Sequence, residues 1–235
     1  AVAVTADGIH WLLLNAPPDL RAQILATPQL APHPDAGPRS SPIAAVALTG
    51  AEIDQLAGLL HLREGHRFDL HGAGDVLAVL AANPMFGVLP ADRVARHTLP
   101  AAGRVAGPGG LTIESFPVPG KIPLYREDDT TEPAAAVTGL IVEADGCRIA
   151  FVPEIAAVTP AVRETLASAD VVLLDGTVFT DDELIAAGAG HKTGRRMGHV
   201  PIDGPGGSLE ALNGLPGRRI FIHLNNTNPV LLEDS

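Results

Sequence analysis

Short apolar runs alternate along the chain with stretches whose apolar residues recur at helical spacing. An apolar run bounded by proline, glycine or polar residues is typical of a buried strand. On this pattern the predicted strands are Trp11–Leu14, Ile43–Leu48, Leu111–Val118, Val137–Ala144, Arg148–Val152, Val171–Leu174 and Arg219–Leu224. The dipeptide Asp145–Gly146 joins the fourth strand to the fifth, and such a dipeptide favours a tight β-hairpin.

Helices are predicted between several of these strands. The predicted helices are Pro17–Leu25, Glu52–Leu62, Thr159–Ala167 and Asp181–Ala187. In the third of them Thr159 supplies the N-cap and Pro160 takes the first position, where a missing N–H leaves no bond unmade. Strands separated by helices imply helices packed on sheet faces, which predicts an α/β protein.

Stretches rich in proline and glycine occur at Pro28–Pro42, Pro100–Gly110 and Asp203–Gly217. None of them separates two halves that could each form a core, so they predict surface loops rather than linkers. We therefore expect a single domain over residues 1–235. Because the chain begins within a strand-like pattern and stops abruptly, we also expect native N- and C-terminal segments to be missing.

The composition indicates what the core is made of and which binding partners and metal sites are disfavoured. The 235 residues are 46% hydrophobic but only 3% aromatic, so the core must be built from aliphatic side chains. The net charge of −11 disfavours binding to nucleic acid or to an anionic membrane. No apolar run is long enough to span a bilayer and no signal peptide is visible, so we expect a cytoplasmic protein. The single cysteine, Cys147, excludes an intrachain disulfide and a cysteine-cluster metal site, and we expect it in the core.

Polar residues that could carry chemistry follow the ends of the apolar strands. Asp175 ends one strand and His223 lies near the end of the last, while Asp54 follows the second strand and His199 lies in a glycine-flanked loop. Strand ends open on the crevice where ligands bind in α/β proteins. Taken singly, each residue also has a structural explanation. His223 could be a hydrogen-bonded core histidine, Asp175 a turn cap, His199 a solvated side chain, and Asp54 a helix N-terminal acid.

Several segments resemble one family. These segments are Asn15–Asp19, Leu59–Gly65, Leu174–Val178, Asp181–Leu184, Thr193–His199 and His223–Val230. They are similar to the coenzyme PQQ synthesis protein B (PqqB) family over essentially the whole chain, and that family is similar to the metallo-β-lactamase superfamily. The resemblance implies an α/β fold, a four-layer αβ/βα sandwich of metallo-β-lactamase type, with its site at an edge.

The chain departs from its relatives at the metal-binding motif. Hydrolytic members of the superfamily carry a His-x-His-x-Asp-His motif, and the matching positions here are Gly50, Glu52, Asp54 and Gln55. A two-metal hydrolytic site needs those histidines, so we do not expect hydrolysis of the usual superfamily kind. PqqB proteins keep Asp-His at the end of the motif, and Gln55 is a weaker ligand than that histidine. The family's cysteine cluster is absent, so its structural zinc has no place in this sequence.

The remaining residues, together with the resemblance, imply a single metal. The implied ligands are Asp54, His199, His223 and Asp175, the last either as a ligand or as a group that orients one. Two histidines with one carboxylate and open positions suit a non-haem iron(II) oxygenase, and zinc in place of iron stays open. The side chains expected to bind substrate are Gln55, Arg195, Arg196 and Asn226. The expected substrate is PQQ or a carboxylate-rich PQQ precursor, which arginines would recognise.

The resemblance leaves more than one function open. The first hypothesis is an iron-dependent hydroxylation of the tyrosine-derived part of a PQQ precursor. The second is a non-catalytic carrier that binds PQQ or its precursor and assists its transport to the periplasm, and Gln55 favours this one somewhat. A residual zinc hydrolase is a weaker third, against which Gly50 argues. A homodimer is also left open.

Overall fold

The computed structural model describes residues 1–37, 39–121 and 136–232. The chain folds into two compact units. Unit 1 comprises Ala1–Ser115 and Glu143–Asp145, and unit 2 comprises Phe116–Val142 and Gly146–Ser235. That residues 1–235 behave as one domain stays a prediction.

Unit 1 contains a five-stranded sheet whose strands lie side by side in chain order. Its strands are β1 (Val2–Val4), β2 (Trp11–Leu14), β3 (Ile43–Ala47), β4 (Phe68–Gly72) and β5 (Val94–Thr98). β1 pairs with β2 in the antiparallel sense, and β2 to β5 pair in parallel. The carboxyl ends of β2 to β5 therefore meet at one edge of this sheet, and their amino ends meet at the opposite edge.

The core of unit 1 is aliphatic, as the composition predicts. Leu13, Val46 and Leu70 lie in register on three neighbouring strands and are almost completely buried. The helices of this unit are α1 (Leu20–Ala26), α2 (Ile53–Leu56) and α3 (Gly74–Ala82). Their apolar side chains, among them Leu20, Leu56 and Leu80, complete the same cluster.

The predicted helix over Glu52–Leu62 is α-helical only in its first turn. It continues as a 3₁₀ helix over Ala57–Leu62. The cause lies in two backbone bonds to a neighbouring segment. Ala16 N donates to Gln55 O at 2.7 Å, and Gly58 N donates to Ala16 O at 2.7 Å. Because these groups bond outside the helix, the regular α-helical ladder is interrupted between them.

The second sheet has six strands. They are β6 (Gly103–Ala106), β7 (Thr112–Pro119), β8 (Ala136–Ala144), β9 (Cys147–Val152), β10 (Val171–Asp175) and β11 (Arg218–Ile222). Their order in the sheet is β11-β10-β9-β8-β7-β6. β6 and β7 are antiparallel, whereas β9, β10 and β11 are parallel neighbours. The carboxyl ends of β9, β10 and β11 therefore share one edge.

The helices of unit 2 are α4 (Pro160–Ala167), α5 (Glu183–Ala186) and α6 (Ser208–Ala211). Thr159 caps α4 as predicted, because its Oγ1 accepts a hydrogen bond from Val162 N at 3.3 Å. Val162 and Leu166 of α4 pack into a second aliphatic cluster with residues of β9 and β10. Short 3₁₀ helices elsewhere in the chain span Pro28–Leu30, Pro34–Ala36, Pro84–Val88, Pro108–Gly110, Arg195–Met197 and Pro229–Leu231.

Most predicted strands are confirmed within one or two residues, and the hairpin is confirmed. Asp145 has φ 50° and Gly146 has φ 77°, the left-handed conformations that a two-residue hairpin turn requires. The core position expected for Cys147 is wrong, since its side chain is exposed directly after this turn. Among the described residues no helix is both long and apolar enough to cross a membrane.

Candidate metal centre

Unit 2 brings together three side chains that are far apart in the sequence. Asp175 ends β10, His223 follows β11, and His199 lies in the loop after α5. One potential ligand atom from each residue lies within 4.8 Å of the other two. No other group of three or more His, Cys, Asp or Glu side chains gathers in this way within the part of the chain that the structure describes. Their function as metal ligands stays a prediction.

His223 lies at an abrupt change of backbone conformation. β11 ends at Ile222 and His223 has φ 60°, so the prediction that this histidine lies inside a strand is wrong. A left-handed conformation costs a non-glycine residue about 1–2 kcal/mol, which the surrounding bonds must offset. Gly176 N donates to Ile222 O at 2.8 Å, and Asn228 Nδ2 donates to Gly176 O at 2.7 Å. These bonds hold the segments on either side of His223 against the end of β10.

The carboxylate of Asp175 is fully buried and accepts four hydrogen bonds. Its Oδ1 accepts from Thr177 N at 3.0 Å and from Thr177 Oγ1 at 2.6 Å. Its Oδ2 accepts from Ile155 N at 3.1 Å and from His199 Nδ1 at 2.7 Å. Four donors fill the usual capacity of a carboxylate, so in this arrangement Asp175 orients His199, and it would bind a metal directly only in exchange for one of these bonds.

Thr177 joins the two imidazoles to this carboxylate. Its Oγ1 lies 2.8 Å from His223 Nδ1 and 3.1 Å from His199 Nδ1. A hydroxyl has one proton to donate, and the short distance to Asp175 Oδ1 assigns that proton to the carboxylate. His223 Nδ1 must then donate to Thr177, as His199 Nδ1 donates to Asp175. When neutral, both rings therefore carry their proton on Nδ1, which puts the lone pair of each imidazole on Nε2, the arrangement in which a histidine oriented through Nδ1 binds a metal.

The two imidazoles lie close enough to act together. Their ring centroids are 5.5 Å apart, with an angle of 36° between the ring planes. The side chain of His199 is 12% exposed and that of His223 is 34% exposed, whereas that of Asp175 is 0% exposed. Access to the trio is therefore by way of the imidazoles, with the carboxylate behind them.

Two opposing effects act on the pKa of Asp175. Burial by itself raises the pKa of this carboxyl. A protonated His199, followed by hydrogen bonds from His199, His223 and Thr177, outweighs burial and lowers the pKa from 3.8 to about 2. Asp175 is thus a stable anion at neutral pH and can balance the charge of a cation held by the imidazoles.

The residues predicted from the metal-binding motif lie in unit 1. Asp54 is in the first turn of α2, and its function as a ligand stays a prediction. Gln55 is buried, and its Oε1 accepts a hydrogen bond from Glu52 N at 3.2 Å within a capping box. A Cβ placed on Gly50 would overlap Gln55 Oε1. The position that carries a histidine in hydrolytic relatives therefore has no room for a side chain while Gln55 caps the helix.

The residues expected to bind substrate in unit 2 differ in whether the fold already uses their side chains for hydrogen bonds. Arg195 Nη2 donates to Pro205 O at 2.9 Å and to Gly206 O at 3.1 Å, so this guanidinium holds a loop in place. Arg196 and Asn226 are exposed. Their contacts with a substrate, like those of Gln55, stay predictions.

Sequence reasoning missed two residues of this network. Thr177 links the trio, and its signal was its position in the Asp-Gly-Thr segment that ends β10. Asn228 is buried where the exposed Asn226 was chosen, because nothing in the polar run Asn225–Asn228 shows which amide points inwards. Only the folded backbone distinguishes these neighbours.

Known proteins match this chain over nearly its whole length. A family model described as a beta-lactamase superfamily domain matches residues 10–224. The chain is 51% identical over 239 residues to the coenzyme PQQ synthesis protein B of Methylobacterium nodulans, an alignment that covers 100% of this chain and 79% of that protein. It is 48% identical to the protein of the same name from Gluconacetobacter diazotrophicus, covering 100% of this chain and 80% of that one.

Solved structures agree with these relatives. The crystal structure of Zn(2+)-bound PqqB from Methylobacterium extorquens matches with a TM-score of 0.95 and 47% identity, covering 99% of this chain and 79% of that chain. A diphosphatase of the PhnP family matches with a TM-score of 0.65 and 19% identity, covering 97% and 73%, and shares the fold alone. The predicted fold class, an α/β fold of metallo-β-lactamase type, is confirmed.

Proposed function

The chain belongs to the family of coenzyme PQQ synthesis protein B and acts in the biosynthesis of pyrroloquinoline quinone (PQQ), and from this premise we propose that it is a single-iron oxygenase that hydroxylates a tyrosine-derived PQQ precursor. One observation carries the proposal. One potential ligand atom each from His199, His223 and the buried carboxylate of Asp175 lies within 4.8 Å of the other two, at one edge of a parallel sheet, and both rings are oriented through Nδ1. The proposal places this reaction in the cytoplasm.

The donor set of the trio fits a divalent metal. A zinc-bound relative and the His, His and Asp trio of this chain together support metal binding. Two imidazoles with a carboxylate and open positions are the ligands that suit iron(II) in oxygenases, although zinc accepts the same nitrogen donors. Iron(II) held here would supply the oxygen activation that a hydroxylation needs. The chain's own contribution is to fix both rings by their Nδ1 protons and to place the Asp175 anion behind them.

The residues of unit 1 argue against two-metal hydrolysis. Gly50 and Glu52 occupy two histidine positions of the hydrolytic motif, and Gln55 occupies a third. Two of these three residues are used by the fold, since Glu52 and Gln55 form the capping box of α2. A pair of metal ions about 3.5–4 Å apart requires ligands that these residues do not supply.

Recognition of the precursor is assigned to the polar residues around the trio. A PQQ precursor rich in carboxylates would pair with Arg196, whose exposed guanidinium is available for a bidentate contact. Asn226, exposed in the segment after His223, offers an amide to the same ligand. Arg195 positions the loop that carries Arg196 through its bonds to backbone carbonyls.

An anaerobic iron(II) titration of the full-length protein tests the metal site. We expect one ion per chain, and His223→Ala should weaken binding by at least about tenfold. His191→Ala is a matched control, since His191 is an exposed histidine in the same unit. Absence of binding, or binding that His223→Ala leaves unchanged, would contradict the proposal. Asp54→Asn tests the sequence-based ligand assignment in the same assay.

Oxygen uptake tests the chemistry once binding is known. Hydroxylation by O2 places one oxygen atom in the precursor and reduces the other to water, so it draws two electrons from an added reductant. With that reductant present, the iron-loaded protein should consume oxygen only when a PQQ precursor is also present, and the zinc-loaded protein should not. Zinc-dependent turnover of a phosphodiester or a lactam would instead show a hydrolase.

A carrier is the second candidate function, and Gln55 is the observation that favours it. At this position a neutral amide stands where the family resemblance implies an imidazole, and that amide is engaged in the capping box. A carrier would bind PQQ tightly in the metal-free state and would consume no oxygen with any precursor. Calorimetry with PQQ in the presence of a chelator separates the two candidates.

A further inference from the structure

A cleft of about 760 Å³ in unit 1 lies at the amino-terminal edge of the five-stranded sheet. Three of the residues that line it precede strands of this sheet: Arg67 and Arg93 stand immediately before β4 and β5, and Ser41 stands two residues before β3. Because these strands are parallel, their first residues meet at this edge. Asp54 and the other motif residues follow the opposite, carboxyl-terminal edge of the same sheet.

The lining of the cleft is strongly basic, although the chain is acidic. Arg39, Arg63, Arg67 and Arg93 line it together, and Asp92 is the one acidic side chain among the described residues of the lining. The chain has only 16 Lys and Arg residues and a net charge of −11. Four guanidinium groups in one cleft repel each other unless an anion lies between them.

Two of these arginines keep all their donors available. Across the described residues neither Arg39 nor Arg67 makes a hydrogen bond or an ion pair. Arg93 has only a weak exposed pairing, its Nε lying 3.6 Å from Asp92 Oδ2. A Cβ at Gly65 would lie 3.3 Å from Arg39 Nη1, so the glycine leaves room for this guanidinium at the cleft.

Two further polar side chains line the cleft beside the arginines. His66 has its Nε2 buried without a hydrogen-bond partner in the described part of the chain, while its ring stacks on Phe68 with centroids 5.1 Å apart. Ser41 Oγ accepts from Ile43 N at 3.2 Å, which leaves the hydroxyl proton to be donated. A hydroxyl donor beside guanidinium groups suits a bound oxyanion.

We infer that this arginine cleft is a binding site for a compact oxyanion, a phosphate or a carboxylate group, separate from the metal centre of unit 2. Guanidinium groups match both kinds of oxyanion through paired N–H donors. A bound dianion would relieve the repulsion among the four arginines. The site has the chemistry of a small-molecule subsite rather than of a nucleic-acid surface, because its charge is confined to one cleft of an acidic chain.

Calorimetric titration of the full-length protein at constant ionic strength tests this site. The probes are inorganic phosphate, pyrophosphate and citrate, with chloride as the reference anion. Arg39→Gln and Arg67→Gln should each weaken the favoured probe by about tenfold, the loss of one charge-assisted contact. Arg96→Gln is the matched control, because it removes the same charge from β5 outside the cleft, and it should change binding less than about twofold.

The probe that binds best identifies the source of the oxyanion. A preference for pyrophosphate supports a phosphorylated ligand, and a preference for citrate supports a polycarboxylate. Saturable binding should also shift the side-chain resonances of His66 and leave those of His191, in unit 2, unchanged. The inference is wrong if none of the probes binds saturably, or if Arg96→Gln weakens binding as much as Arg67→Gln does.

Discussion

Thr177 offers the sharpest test of how the candidate metal centre is built. Replacement by valine removes one oxygen atom and keeps the branched shape of a buried side chain. That oxygen is the group that connects Asp175 Oδ1, 2.6 Å away, to His223 Nδ1, 2.8 Å away. The substitution therefore leaves the three candidate residues in place and removes the bond that fixes the ring of His223.

The expected loss of stability depends on which hydrogen bonds Asp175 keeps after the substitution. Asp175 Oδ1 keeps its hydrogen bond from Thr177 N at 3.0 Å, so the carboxylate is not stranded. A hydrogen bond to a charged group contributes about 1.5–3 kcal/mol, and we expect the free energy of unfolding to fall by about 2 kcal/mol. Loss of a group that orients a metal-binding histidine lowers metal affinity by about 10–100-fold, and the same loss is expected here.

Three measurements check this prediction on the metal-free protein. Urea denaturation gives the change in stability, a metal titration gives the change in affinity, and long-range ¹H–¹⁵N correlation spectra show which ring nitrogen carries the proton. Thr177→Ser keeps the hydroxyl and should stay close to the wild type. Thr180→Val removes an exposed hydroxyl nearby and is the matched control.

The reasoning about Thr177 would be refuted by either of two results. One is a Thr177→Val protein that binds metal as tightly as the wild type. The other is a spectrum of the wild-type protein in which His223 carries its proton on Nε2. In that case Nδ1 would accept from Thr177, and Nε2 would not be available to a metal.

Three further predictions concern stability. Because the pKa of Asp175 is lowered in the folded protein, its ionised carboxylate adds about 2 kcal/mol to the free energy of unfolding. This contribution is complete above the unfolded pKa of 3.8 and is lost as the pH falls towards 2, and Asp175→Asn should remove this part of the acid-unfolding profile. Gly50→Ala should lower stability by about 1 kcal/mol by displacing Gln55 from the capping box, and by less in a Gln55→Ala background, as a double-mutant cycle by urea denaturation would show. Asn15 has φ 60° and its side chain makes three buried hydrogen bonds with Thr49, so Asn15→Ala should lower the unfolding free energy by about 3 kcal/mol. Asn15→Gly loses the same bonds but relieves the backbone strain, so urea denaturation should show a smaller loss.

The apolar runs of the sequence predict the strands well where side chains are continuous and aliphatic. β10 is an example, since its residues are buried almost throughout and its predicted end at Asp175 is correct within a residue. β4 escaped prediction because Asp69 and His71 alternate with its two apolar side chains, and a period of two over five residues is weak evidence. The helix after β3 was predicted over its whole length, but its change to 3₁₀ geometry depends on bonds to Ala16, which lies far away in the sequence.

The candidate site shows the same division between local and tertiary information. That Asp175 and His223 would meet could be inferred, because both follow parallel strands and such strands share a carboxyl edge. The neighbouring order of β10 and β11 could not be read from the sequence, and neither could the left-handed turn at His223. Thr177 was overlooked because a hydroxyl is a poor metal ligand, and its importance appears only once its bonds to both rings are seen.

The two units use their polar residues at strand ends in different ways, and this difference supports a single-metal site over a two-metal site in the proposed function. In unit 1 the motif residues Glu52 and Gln55 close a helix cap, so their hydrogen-bonding capacity serves the fold. In unit 2 the bonds of Asp175 and Thr177 end on two imidazoles, so the hydrogen bonds there orient the two side chains that are predicted to bind a metal. A catalyst that needs two equivalent metal ions would require unit 1 to supply imidazoles as unit 2 does. A catalyst that needs one ion with open positions requires only that unit 2 hold its two rings in a single tautomer, and that is what the network around Asp175 achieves.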